Sequence, residues 1–283
     1  MLKFLVFFFV SISFWSCSNS PSILRKTDGK QTQISDSIEK NKELEDFISP
    51  YRKRIQKEMS AVLSYAPKAM FKSDAQLNTP LGNMMSDAVF EMANPIFEKQ
   101  TGYKIDVVIL NYGGIRSGIN AGEVTTRTAY NIMPFENEVV IAELASEELI
   151  ALVNYLVENK VAHPIAGLQI SLDAEGLLKE VKINGEHIQN KSYYVATSDY
   201  LIKGGDRMEF FKKSKNVYSL EYKLRNLFID YFKKKDTIAP KQDNRFTKLK
   251  NQRYETIKIY KNNRSCNYIY SNWWHWFIER FPI

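Results

Sequence analysis

The chain has 283 residues, 44% of them hydrophobic and 25% charged, enough to bury one large domain or two small ones. Its net charge of +7 is raised by residues 251–283, which hold five basic against two acidic side chains; elsewhere no basic stripe interleaved with aromatics argues for nucleic acid. Two cysteines, Cys17 and Cys266, leave the body without a disulfide or a thiolate metal site, and His163, His187 and His275 are far apart, so no metal centre built by this chain is expected.

Taken in order, residues 1–17 carry one lysine and then an apolar run from Phe4 to Phe14. The run is too short to cross a membrane, which needs about 20 residues, and suits a secretory signal. Cys17 follows a small residue, so the segment reads as a lipoprotein-type signal with Cys17 as the lipidated residue, although Phe14 departs from the usual leucine. The expectation is an exported lipoprotein anchored to a membrane of a bacterial cell envelope. Residues 18–35 are polar and aperiodic, a flexible tether.

Residues 36–250 form the expected domain. Ile38, Leu44, Phe47, Ile48, Ile55 and Met59 recur at helical spacing, so a long helix runs from Asp36 to Met59, with Pro50 expected to kink or restart it. Ala61 to Met70 reads as a strand. Thr79 followed by Pro80 is a helix start, with Gly82 and Asn83 in the first turn, and the helix reaches about Lys99. Helix N-termini favour anions, so these two residues are site candidates.

Ile105 to Leu110 is a β-branched run that stops at Asn111, Tyr112, Gly113, Gly114, Ile115 and Arg116: a strand end delivering polar residues into a glycine-lined loop. A short helix from Thr126 leads to Pro134, which puts Phe135 in a loop. Glu138 to Leu144 is a strand, and Ser146 is expected to cap a helix to Asn159. Leu168 to Asp173, Leu178 to Ile183 and His187 onward read as strands, the last two joined by an Asn184-Gly185 hairpin. Tyr193 to Ser198 is a strand followed by Tyr200 and a second glycine pair, Gly204 and Gly205, with Asp206 after it. A helix is expected from Ser219 to about Lys234, with Tyr222, Leu227 and Phe228 inward. Residues 251–283 gather Trp273, Trp274 and Trp276, an aromatic tail that reads as an interface-docking segment, a disordered appendage or a reading-frame artefact.

Four motifs in order, Thr79 to Asn83, Asn111 to Arg116, Met133 to Asn137 and Tyr200 to Asp206, resemble the signature of the 5′-nucleotidase C-terminal domain over roughly residues 45–248. The resemblance implies a four-layer α/β/β/α domain with mixed sheets that binds a nucleotide or nucleoside. It further implies that Asn111 bonds the base, Arg116 holds the phosphate, Phe135 and Tyr200 stack on the base, and Asp206 accepts from the ribose hydroxyls. Gly113, Gly114, Gly204 and Gly205 keep the backbone clear. The family pairs this domain with a metallophosphatase domain, which has no counterpart in these residues; the divalent metals are then expected on a separately encoded metallophosphatase partner. Two departures stand out: Tyr200 replaces a common phenylalanine, and Leu77 stands where an arginine is frequent, so Lys72 is the nearest substitute cation. The implied function is the substrate-binding half of a split 5′-nucleotidase. The alternatives are a non-catalytic nucleoside-binding lipoprotein and, less favoured, a metallohydrolase acting alone through Asp87, Asp106, Asp199 or Asp206.

Overall fold

The computed structural model describes residues 29–35 and 38–249; Cys17, the signal segment and the aromatic tail lie outside them. The chain divides into two units, Met1–Pro50 and Tyr51–Ile283. Helix α1, Lys42–Met59, crosses that boundary, and none of its residues is buried. It starts later than the periodicity predicts, where Asn41 Oδ1 accepts from Leu44 N at 3.1 Å. Helical assignment continues through Pro50. A proline removes one backbone donor, which the remaining turns tolerate. Among the described residues, no helix is long and apolar enough to cross a membrane.

The second unit is a mixed α/β domain. Its five-stranded sheet has the order β5-β2-β8-β4-β9, from Ile165–Ala166, Val107–Ile109, Tyr193–Ser198, Glu138–Leu144 and Asn216–Lys223. β2 and β8 are parallel, and the other pairs are antiparallel. A three-stranded sheet joins β10 (Phe246–Lys248), β6 (Leu168–Leu172) and β7 (Leu178–Ile183), with β10 parallel to β6. β1 (Val62–Ala66) and β3 (Gly122–Thr125) form a separate antiparallel pair.

The layers follow from which faces are apolar. Helix α2, Pro80–Thr101, and helix α6, Leu224–Lys234, cover one face of the five-stranded sheet: Met85, Val89 and Phe97 meet Leu227, Phe228 and the inward Val108, Ile141 and Ala196. Alternate residues of the same strands, Val107, Ile109, Ala142 and Val195, face a second core. That core is closed by Ile170, Leu172 and Phe246 of the three-stranded sheet and by Leu149, Leu152 and Leu156 of helix α4, Ser146–Asn159. Helix α3, Thr126–Ile132, buries Ala129 and Ile132 beside the first core, and the short helix α5, Asp199–Ile202, buries Leu201 in the second.

Local chemistry sets the element ends. Thr79 caps α2 by accepting from Gly82 N at 3.1 Å, and Gly102 ends it at φ 78°. Several expectations are corrected. The cap of α4 is Ala145 without a side-chain bond, because the Ser146 hydroxyl turns to Glu147 and Asn190. Ser219 to Lys223 is strand, not helix: Tyr218, Leu220 and Tyr222 alternate against the first core, and α6 begins at Leu224. Asn184 and Gly185 do turn, with φ 50° and 87°, yet only an isolated Ile183–Glu186 bridge follows, because the Gln189 backbone bonds the Tyr193 hydroxyl instead of a strand.

Candidate functional site

Topology brings the two glycine loops to one end of the five-stranded sheet. Val107 lies opposite Val195 and Val108 opposite Ala196 in parallel register, so Asn111 and Tyr200 leave neighbouring strands on the same side. β4 pairs antiparallel with β8, Val139 opposite Ser198, so the segment entering β4 from Phe135 arrives at that same end. Glu138 N donates to Asp199 Oδ1 at 3.1 Å, which fixes the junction.

Asn111 is 8% exposed and donates through Nδ2 to Asp206 Oδ2 at 2.7 Å. Tyr200 donates its hydroxyl to Asp206 Oδ1 at 3.0 Å and accepts from Asp206 N at 3.3 Å. Asp206 and Arg207 are both in the left-handed region, at φ 52° and 64°, a costly pairing for residues with a Cβ. The Tyr155 hydroxyl holds this turn by donating to the Asp206 carbonyl at 3.0 Å. Burial, with the Asp206 charge adding to it, pushes the Tyr155 pKa up, so its hydroxyl stays a donor.

Two glycines are sterically required here. A Cβ on Gly205 would come within 2.4 Å of the Tyr200 ring, so the ring lies directly on that backbone. A Cβ on Gly114 would stand 2.7 Å from Asn111 Oδ1. Gly113 faces Asp206, and Gly204, at φ 87°, opens the second loop.

Phe135, 38% exposed, lies beside Arg116, whose guanidinium carbon is 5.7 Å from the ring centroid. Arg116 is exposed and, among the described residues, forms no ion pair; its backbone N–H bonds Ile132 O at 3.0 Å. The Phe135 loop is tied down by Arg225, which is 7% exposed, pairs with Glu136 and stands 4.2 Å over the Tyr130 ring. Bonds from Lys223 and Arg225 hold the Glu136 carboxyl down at about 2, so it remains an anion.

The Met70–Ile119 bridge carries Lys72 alongside the first loop, where Nζ donates to Ile115 O at 2.8 Å and sits 4.4 Å over the Tyr112 ring. Leu77 packs on the second core. Gly82 and Asn83 are buried. The Asn83 amide donates to Asn78 Oδ1 and Lys241 O, and Asn78 bonds Asp243 O and Phe246 O, so this pair anchors the chain leading into β10. His163, 6% exposed, places Nδ1 3.2 Å from the Tyr112 N–H and 3.3 Å from the Leu110 carbonyl oxygen. Tyr155, His163 and Arg225 thus position the loops, and no local pattern in the sequence marks them.

Two cavities lie elsewhere. One of about 900 Å³ is lined by Ser146, Ile150, Leu178 and His187 among others, and another of about 450 Å³ by Asp87, Gly167 and Arg245 among others. Neither contains a residue of the loop cluster. Among the described residues, no group of three or more His, Cys, Asp or Glu side chains could hold a metal ion.

A carboxylate, an amide, two exposed aromatic rings and a guanidinium that forms no ion pair among the described residues thus lie on loops at one end of a sheet in a mixed α/β domain. The family model for the 5′-nucleotidase C-terminal domain matches residues 61–213, and the chain belongs to that family. It is 24% identical over 266 residues to the trifunctional nucleotide phosphoesterase protein YfkN of Bacillus subtilis, covering 84% of this chain and 18% of that protein. A 5′-nucleotidase of Vibrio vulnificus is 24% identical over 192 residues, 64% of this chain and 32% of its own length. The chain therefore spans a third or less of these relatives. In fold it is similar to the 5′-nucleotidase precursor of Thermus thermophilus, with a TM-score of 0.61 and 21% identity over 73% of this chain and 43% of that one.

Proposed function

We propose that this chain is the substrate-binding half of a split 5′-nucleotidase, exported and anchored through Cys17, which orients a nucleotide for a separately encoded metallophosphatase chain. The observation carrying the proposal is the convergence of Asn111, Tyr200 and Asp206 at one sheet end, with Phe135 and Arg116, in contact with each other, on loops at that same end. Phe135 and Tyr200 offer ring faces to the base, each worth about 1–3 kcal/mol. Asn111 bonds the base edge, Asp206 accepts from the sugar, and Arg116 can grip a phosphate through two parallel bonds. In this reading the divalent ions sit on the partner, where they would supply Lewis-acid activation. This chain supplies orientation.

A second reading is a nucleoside-binding lipoprotein without catalysis. Mixing the purified protein with the metallophosphatase chain, a divalent metal and AMP separates the two. The split-enzyme reading expects phosphate release well above that of the phosphatase alone, and return to that level with Arg116→Ala. A mixture no faster than the phosphatase, unaffected by Arg116→Ala, supports the non-catalytic reading.

A further inference from the structure

Asp206 has both of its oxygens engaged by the chain itself, and the two engagements differ. Asn111 approaches Oδ2 from the buried side, at 2.7 Å and with 8% of its surface exposed. Tyr200 approaches Oδ1 at 3.0 Å from the solvent side, with 43% of its surface exposed. The Tyr200 hydroxyl spends its only proton on Oδ1 and takes the Asp206 N–H in return. Its ring lies against the Gly205 backbone, where a Cβ would come within 2.4 Å of it.

A carboxylate that reads two adjacent sugar hydroxyls presents one oxygen to each. Here the partner of Oδ2 is buried, while the exposed phenolic hydroxyl of Tyr200 stands at Oδ1 on the side from which a ligand arrives. We propose that Tyr200 is a specificity-determining residue: by capping Oδ1 it reduces the sugar reading to one hydroxyl, so the site accepts 2′-deoxynucleosides about as well as ribonucleosides. This rests on the nucleoside reading of the site. A second sugar hydroxyl meets only the neutral phenol oxygen, and a neutral hydrogen bond is worth roughly half of one to a charged group.

Tyr200→Phe isolates the effect because it keeps the ring and removes only the cap. Calorimetry with adenosine and 2′-deoxyadenosine on the full chain measures it. The wild type is expected to bind the two within about threefold, and Tyr200→Phe to prefer adenosine by about tenfold. Wild-type preference for adenosine of tenfold or more, or a ratio unmoved by Tyr200→Phe, overturns the proposal and leaves the nucleoside site standing. Equal weakening of both ligands also overturns it, since the hydroxyl would then only fasten the loop. Binding of neither ligand to either protein overturns both the proposal and the nucleoside reading.

Discussion

At the scale of single residues, the site depends on groups whose identity the sequence displays and whose partners it hides. Asn111, Tyr200 and Asp206 are visible as polar residues beside glycine pairs, because a glycine pair after a β-branched run signals a turn with close backbone approach. Nothing local says that the Asn111 amide reaches across 95 positions to Asp206, or that Tyr155 holds the Asp206 carbonyl. Arg225 is invisible for the same reason: in a helix with basic neighbours it reads as a solvated charge, yet it is buried and clamps the loop that carries Phe135. Gly205→Ala tests the packing beneath Tyr200. The added methyl must displace the ring, so adenosine affinity should fall about tenfold, the share that one stacked ring supplies, while the melting temperature moves little. Unchanged affinity in calorimetry would show that the Tyr200 ring is not a wall of the site.

At the scale of elements, boundaries with their own chemistry were legible. The Thr79-Pro80 start of α2 and the strands Glu138–Leu144 and Tyr193–Ser198 lie where capping and alternation put them. The sequence misled where pairing decided the outcome. Ser219–Lys223 carries residues compatible with either period, and hydrogen bonding to β4 drew it into the sheet. Phe246–Lys248 becomes strand only because β6 lies beside it. The crossing of β2 with the segment before β5 carries a pH dependence. Burial lowers the His163 pKa from the ordinary 6.5, against a smaller opposing pull from the Leu110 carbonyl and the Asp206 charge. The unfolded chain therefore takes up this proton more readily than the folded one, so the stabilisation is complete above about pH 6.5 and is lost as pH falls below it. Chemical denaturation between pH 7 and pH 5 should show stability falling in the wild type and a shallower fall in His163→Gln. Equal slopes would show that His163 does not titrate with folding.

At the scale of the whole molecule, the account assigns recognition to this chain and bond cleavage to another. Two cores on either side of one sheet back the end from which the three loops emerge. Arg116 is the group on which the nucleotide reading turns, since Leu77 is committed to the second core and Lys72 is already bonded to the Ile115 carbonyl. The most direct test is calorimetric comparison of AMP with adenosine, in the wild type and in Arg116→Ala. The account predicts that AMP binds the wild type more tightly than adenosine by about 10- to 100-fold, the worth of a charge-assisted phosphate contact, and that Arg116→Ala erases the difference while leaving adenosine affinity intact. Equal affinity for the two ligands in the wild type, or a difference that survives Arg116→Ala, would contradict it.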